Sequence, residues 1–393
     1  MTTGTKIEQG FEEIASQMKK DNQDIVNEIK KYYKIQDYPT IEKKSKLDGT
    51  ALAQAYPIQG ILKYHGMSDW DYRTAYLPSI SVNNDAARTV TYVKFDSNYT
   101  QDKGVVNDKI VSGRDLERIV QTLDLVRKLT GTNTKALVVS KNIVRATKTG
   151  KGLGTSASGS AAIGTAAVAA AMGDSYYSNK RFLSCVGRFL AGSGCRSIAG
   201  GISLWLSYPG ITHEDSYAVR LDDKEQLKDV SLITVPVDSR IGLKTETAHK
   251  DAPHSPLFKK WMEMRKPYIL ECIQAIQKSD WQTVARLGEL DTILLHGVTM
   301  SGTLESKIIA WEPETIQLMR ASNELKDQGI PCYYSIDTGP TPVFITHKKY
   351  ETEVVDKIAR LKFEYVVGKI AGPAELLNEN KTEEILQVSK YDN

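Results

Sequence analysis

Long apolar runs are missing from this sequence of 393 residues. The longest weakly polar stretch, Ser156 to Met172, is mostly Ala and Gly and falls short of the ~20 strongly apolar residues of a membrane span. The first 36 residues are polar and charged where a signal peptide needs an apolar core. Cysteine is scarce: Cys185, Cys195, Cys272 and Cys332 form no Cys-x-x-Cys pair, which excludes a disulfide scaffold and fits reduced thiols. A charge surplus is lacking too. Lys and Arg number 51 against 48 Asp and Glu, a net of +3, too small and dispersed for a nucleic-acid track. The six histidines hold no metal cluster, since only His249 and His254 lie near each other. These absences predict a soluble, cytoplasmic chain with no membrane, nucleic-acid or metal partner.

What is present suggests two domains and an appendage. Ile7, Phe11, Ile14, Met18, Ile25, Ile29 and Tyr32 step by fours and threes, with one gap near Asp21, as one stripe of a helix. Residues 1–49 are therefore expected to be a helical extension, packed on the body or on a second subunit. From Thr50 short apolar strands follow: Ala51 to Leu62, Ser79 to Asn83, Thr89 to Phe95 and Lys135 to Lys141, with a helix over Asp115 to Leu129. Past Glu225, long helices alternate with the strands Cys332 to Ile336 and Val343 to Thr346. That grouping predicts an α+β chain with lobes at 50–225 and 226–375 and a solvated tail over 376–393.

Four local patterns bear on chemistry. Gly152-Leu-Gly-Thr-Ser-Ala-Ser-Gly-Ser160 opens the Ala-rich run, and a helix N-terminus offers unpaired N–H groups to phosphate. Lys148 and Lys151 would add charge, although the spacing is neither a Walker loop nor a Rossmann fingerprint. Ser193-Gly-Cys-Arg196-Ser sets an arginine among small residues, suited to a carboxylate or phosphate or to a structural ion pair. Lys63-Tyr64-His-Gly ends an apolar strand. Asp337-Thr-Gly-Pro340 ends another on a carboxylate that serves either a turn or a reaction.

The order of these patterns, from about Ala55 to about Thr346, resembles the diphosphomevalonate decarboxylases of the GHMP kinase superfamily. Lys63-Tyr64-His-Gly is similar to the family's Lys-Tyr-Trp-Gly, and Gly152 to Ser158 to its Gly-Leu-Ala-Ser-Ser-Ala loop. Leu77-Pro-Ser-Ile-Ser81, Ser193 to Gly201, Val237 to Leu243 and Pro331 to Pro340 are similar to further family segments. The resemblance implies a two-lobed GHMP-type fold, with a ribosomal protein S5 domain 2-like N-lobe and a ferredoxin-like C-lobe, often as a homodimer. By the same carry-over, Asp337 is the carboxylate near the substrate's 3-oxygen and Lys63 its charged partner. Arg196 and Ser193 would hold the substrate carboxylate, and Tyr64 would lie near the 5-phosphoryl end. Lys151, Gly154, Thr155, Ser156 and Ser158 would cradle phosphate.

Departures refine the expectation. Met67 stands where the family's second lysine helps hold a 5-diphosphate, the first serine of the Ser-x-Ser-x-x-Arg pattern is Ala191, and an arginine usual after residues 237–243 is not evident. His249, Lys250 and His254 are candidates to replace its charge. With the N-terminal extension, these departures resemble the archaeal branch acting on mevalonate 3,5-bisphosphate without ATP, which releases isopentenyl phosphate, phosphate and CO2. The expected activity is therefore that ATP-independent decarboxylation, with no cofactor. The alternatives are an ATP- and Mg2+-dependent decarboxylase of 5-phospho- or 5-diphosphomevalonate, a small-molecule kinase, and a ligand-binding homologue without turnover. Asp337 argues against the kinase, because a paralogous 3-kinase lacks that aspartate.

Overall fold

Alternating Val, Thr and Ala between Gly49 and Val144 build the largest sheet. The computed structural model describes residues 7–145, 154–240, 245–302 and 308–392. Its six-stranded sheet runs in the order Glu375–Leu377, Gly49–Ala55, Ala87–Asp96, Lys135–Val144, Lys103–Val106, Lys109–Val111. The register of Leu52 opposite Tyr92 and Tyr92 opposite Val139 points Ala51, Ala53, Ala55 and Val93 to one face. That face receives the Ala-rich helix Thr155–Met172, whose Ala161, Ala162, Ala166 and Ala167 are fully buried among those residues. Small side chains on both sides let helix and sheet approach closely: a Cβ on Gly49 would lie 2.3 Å from the Ala170 carbonyl oxygen. The Ala run is thus a packing device inside the molecule.

The stretch read as strand from Ala51 to Leu62 is two strands. Pro57 has no N–H to donate, and the chain leaves the large sheet there. It then enters a second sheet ordered Ala218–Arg220, Ile202–Trp205, Ser79–Asn83, Ile58–Leu62. Ile61, Leu62, Ile80 and Leu204 of this sheet share one core with Leu232, Ile273, Leu287 and Ile345 of the C-lobe. One end of the strand Ile58–Leu62 therefore lies at the junction between lobes.

The C-lobe sheet is antiparallel, in the order Cys332–Ser335, Val343–His347, Val230–Thr234, Val366–Lys369. Helices separate its first strand from its second and its third from its fourth, which is the βαββαβ arrangement of ferredoxin-like lobes. The long helix expected over Leu257 to Lys278 is broken at Met264 into Phe258–Glu263 and Arg265–Gln277. Helix Trp281–Gly302 runs unbroken and packs on the strand Cys332–Ser335.

The N-terminal helix spans Glu12–Ile29 and packs on the body of the same chain. Ile25, Ile29 and Tyr33 join the shared core beside Ile269 and Ile273, while Phe11 and Met18 meet Tyr76, Leu77, Phe258 and Trp261. Asn22 donates to the Ser207 carbonyl (3.4 Å), the Tyr33 hydroxyl donates to the Leu221 carbonyl, and Lys266 pairs with Asp21 (3.5 Å). The helix thereby touches both lobes.

The tail expected from residue 376 is not solvated. Glu375–Leu377 pairs with Gly49–Ala55 at the edge of the large sheet, with Leu377 opposite Leu52. Leu386 and Val388 then cover Leu52, Val90, Tyr92, Leu137 and Val139 on the face away from the Ala-rich helix. The misreading arose because only a few apolar residues are spaced among many charged ones there. All four cysteines are buried and free. Among the described residues, no helix is long and apolar enough to cross a membrane.

Candidate active site

Where the strand Ile58–Leu62 runs out, a cleft of about 1180 Å³ opens between the lobes. Among the described residues, Lys63, Arg73, Arg114, Arg118, Lys141 and Arg196 line it against Asp115, Glu246 and Asp337, so these walls are positive although the whole chain is nearly neutral. No residue of the N-terminal helix lines it.

Lys63 is 3% exposed. Its Nζ donates to the Gly288 carbonyl (3.2 Å) and to Thr292 Oγ1 (3.0 Å). Its backbone N–H donates to Asp291, a carboxylate also held by Trp261 Nε1 (2.9 Å) and Arg265 Nη2 (3.1 Å). Gly288, Asp291 and Thr292 are three and four residues apart on helix Trp281–Gly302, so one helical face grips this lysine. The same face reaches the next strand, since Thr292 Oγ1 accepts from the Ile336 N–H at 3.2 Å. Burial brings the Lys63 ammonium down to about 8, against the opposing pull of Asp337 and Asp291.

Asp337 follows the strand Cys332–Ser335, and its Oδ1 accepts from the Gly60 N–H at 3.1 Å. A Cβ on Gly60 would lie 2.7 Å from both that oxygen and Lys63 Cγ, so glycine is required for lysine and carboxylate to meet over the strand. Burial raises the Asp337 pKa, while the Lys63 and Arg196 charges pull it back. Arg196 is 2% exposed, and its Nε and Nη1 have no partner among the described residues. A buried guanidinium with idle donors facing a cleft is arranged for an anion. Its Cζ lies 5.2 Å from the centroid of the Tyr64 ring, which stacks on His249 (5.1 Å) and meets Trp205 edge-on (4.9 Å). Ser193 adjoins the Tyr64 hydroxyl and, with Arg196, opposes the burial that raises its pKa.

Lys63, Tyr64, Ser193, Arg196 and Asp337 thus gather in one cleft, together with Gly154, Thr155 and Ser156 at the start of the Ala-rich helix. Gly154 has φ +64° and sits against the chain at Ile58, where a Cβ would be 2.7 Å from the carbonyl oxygen. Only glycine lets the helix N-terminus come this close to the strand that carries Lys63. With the Thr155 and Ser156 residues on the cleft wall, this end fits a phosphate group. Ser158 does not face the cleft. It is fully buried, with Oγ bonded to Thr89 Oγ1 (2.6 Å) and to the Thr155 carbonyl (3.1 Å), so it fastens the helix to the sheet. Lys148 and Lys151 lie outside the described residues.

The three charge candidates of the 249–254 region are placed differently from one another. Burial and the neighbouring Arg73 hold His249 down at about 4, so it is neutral near pH 7, and its Nδ1 accepts from the Gly66 N–H (3.1 Å). His254 is exposed, and Lys250 leans over Trp70 and pairs with Glu246. Arg73, Arg114, Arg118 and the Asp291–Arg265 pair escaped the sequence reading because none sits in a recognisable spacing. Among the described residues, no three His, Cys, Asp or Glu side chains gather as metal ligands.

A ferredoxin-like lobe facing an N-lobe, with a Gly-started helix opening into the cleft between them, defines a GHMP-type protein. The Diphosphomevalonate decarboxylase-like N-terminal domain family matches residues 55–218. Phosphomevalonate decarboxylase of Haloferax volcanii is 32% identical over 84% of this chain and 98% of its own length. Mevalonate 3,5-bisphosphate decarboxylase of Thermoplasma volcanium is 29% identical over 77% of this chain and 78% of its own. The crystal structure of mevalonate diphosphate decarboxylase from Staphylococcus aureus superposes with a TM-score of 0.76 at 27% identity, covering 84% of this chain and 98% of that one. The chain belongs to the diphosphomevalonate decarboxylase family of the GHMP superfamily.

Proposed function

We propose that this chain decarboxylates mevalonate 3,5-bisphosphate to isopentenyl phosphate, phosphate and CO2, and that it forms the bisphosphate in the same cleft from 5-phosphomevalonate and ATP. The supporting observation is one continuous cleft joining Asp337, Lys63 and Arg196 to the helix start at Gly154. At about 1180 Å³ it exceeds the ~300–1,000 Å³ typical of a single drug-sized ligand. Such room suits two anionic ligands better than one. The likeness to a phosphomevalonate decarboxylase over nearly that protein's whole length agrees with this reading.

The chemistry follows from charge. Loss of phosphate from a tertiary carbon builds positive charge at C3 and negative charge on the leaving oxygens. Asp337, fixed by the Gly60 N–H, stabilises the first. Lys63 and the N–H groups at the start of the Thr155–Met172 helix stabilise the second. Arg196 would fork onto the substrate carboxylate and align its C–C bond with the emptying orbital, so that the bond electrons form the alkene as CO2 leaves. ATP, when bound, supplies the phosphoryl group for the 3-oxygen. Asp337 is poised to accept the proton of the 3-hydroxyl, because burial raises its affinity for one, and it must release that proton to solvent before the 3-phosphate leaves so that it again carries charge.

A second reading, in which the bisphosphate arrives ready-made and no nucleotide is used, is favoured by the likeness to the Thermoplasma volcanium protein. Purified chain is given 5-phosphomevalonate with ATP and Mg2+, and separately mevalonate 3,5-bisphosphate alone, with CO2 and phosphate release as readouts. Turnover in both arms supports the proposal, and turnover of the bisphosphate alone establishes the second reading. Absence of CO2 in both arms refutes decarboxylation. Asp337→Asn should lower turnover by about 10²–10³-fold, the effect of removing one preorganised charge contact.

A further inference from the structure

Beyond Tyr64 the cleft ends on a wall that the decarboxylation step does not use. Arg73 stands in the turn between the short strands Met67–Asp69 and Thr74–Ala75, with φ +53°, a left-handed conformation uncommon for any residue but glycine. It is 8% exposed, and its Nε has no partner among the described residues. Among the described residues its side chain makes one hydrogen bond, a long contact of 3.5 Å from Nη2 to Gln121 Oε1, and its Cζ lies 5.6 Å from the centre of the Trp70 ring. Arg114 and Arg118 join it from the helix Gly113–Thr130, about two turns and one turn before Gln121 respectively. Arg118 is anchored to the Leu190 carbonyl (3.1 Å), and Arg114 pairs with Glu246 (3.3 Å). Arg114 is half exposed and also approaches Glu117 (3.8 Å), so the buried Arg73 is the guanidinium of the three left with an idle Nε. Holding that group out of water is costly unless an anion arrives.

The wall's place relative to the reacting carbon also follows from the charges each group feels. Arg196 is among the main charges acting on Asp337 and Lys63, whereas Arg73 is not. Tyr64 feels both arginines. Gly192 lies between them, where a Cβ would be 3.4 Å from both the Tyr64 hydroxyl and the Arg73 carbonyl. From the reacting end outward the sequence is Asp337, then Arg196 with Tyr64, then Arg73.

We infer that Arg73, backed by Arg118, receives the 5-phosphate and is the residue that makes the site demand one. The inference rests on the proposed function for the identity of the ligand. It also accounts for Met67: the cation missing directly after the Lys-Tyr-x-Gly motif is returned six residues later, from a different turn and a different direction. A guanidinium matches a phosphate face with paired donors, and Nε with a free terminal nitrogen supplies such a pair.

Calorimetric titration of the full chain with 5-phosphomevalonate and with unphosphorylated mevalonate tests this directly. A hydrogen bond to a charged group is worth about ten- to hundredfold in affinity. Arg73→Met should lose that factor for 5-phosphomevalonate while leaving mevalonate within about twofold, and Arg73→Lys should recover part of the loss. Equal weakening toward both ligands would mean a structural role and overturn the inference. So would an unchanged preference for the phosphorylated ligand in Arg73→Met. If Arg73→Met lacks a cooperative melting transition, Arg118→Met decides in its place: a reduced phosphate preference supports the inference and an unchanged one overturns it. Binding is read without turnover. A chain that discriminates through Arg73 yet releases no CO2 would sink the proposed function and leave this inference standing.

Discussion

Lys63 carries a cost that only its task explains. It is an ammonium group buried beside a buried carboxylate, and desolvation has brought its pKa down to about 8. On the proposed mechanism its charged form stabilises a departing phosphate, and that form is lost as pH rises through about 8. Asp337 must be ionised to balance the developing cation, and its pKa is raised above the ordinary aspartate range. Decarboxylation should therefore show an alkaline limb near pH 8, which Lys63→Arg shifts upward, and an acid limb above the normal aspartate value. Initial rates from pH 4 to 10 check both; an alkaline limb that stays near 8 in Lys63→Arg removes the lysine from the assignment. At this scale the sequence was most legible where a residue type sits in a motif: Lys63, Tyr64, Ser193, Arg196 and Asp337 share one cleft. It was least legible where a role depends on a distant partner. Asp291 and Arg265 form a buried pair across separate helices, and nothing in their spacing announces it. Ser158 was misjudged because three hydroxyls crowd one helix start, and only packing decides which of them turns inward.

Among the elements, helix Trp281–Gly302 and the N-terminal helix divide the labour. The first presents Gly288, Asp291 and Thr292 to Lys63 and steadies the backbone leading to Asp337. The second offers the cleft nothing and supplies packing. Ile25 is fully buried between the lobes' shared core and helix Arg265–Gln277. Ile25→Ala should cost about 2–5 kcal/mol of stability, as large-to-small changes in cores do. Its turnover at saturating substrate should stay within about twofold, since no hydrogen bond to a cleft side chain is touched. Urea unfolding and a rate assay distinguish this from an occluding role, in which loosening the helix would change nucleotide affinity. The amphipathic stripe made the helix legible, but a stripe does not say what it faces. Breaks were harder to see: Pro57 marked its own, whereas the interruption at Met264 leaves no mark in hydropathy.

Over the whole molecule, the C-lobe is inserted within the N-lobe's chain. Its sheet begins at Val230 and ends at Lys369, after which the backbone returns to close the large sheet with Glu375–Leu377. Leu386 and Val388 then bury themselves over that sheet, each worth about 1.5–3 kcal/mol by area. Removing residues 378–393 should therefore lower unfolding stability by roughly 3–6 kcal/mol, read from the urea midpoint at constant slope. A change of less than about 1 kcal/mol would mean the segment only rests on the surface. The alternation of helices and strands past Glu225 was readable; this return was not, because a three-residue strand with exposed, charged neighbours has the composition of a loop.

The pairing of Leu52 with Leu377 also has a consequence in time. A ribosome exposes the first of these residues long before the second, so the large sheet must wait with one edge bare while the entire C-lobe is made. Non-local pairings of this kind are slow to form, and unpaired edges invite wrong partners. The newborn chain is thus exposed until Glu375–Leu377 emerges, and that segment acts as the latch that ends the exposure.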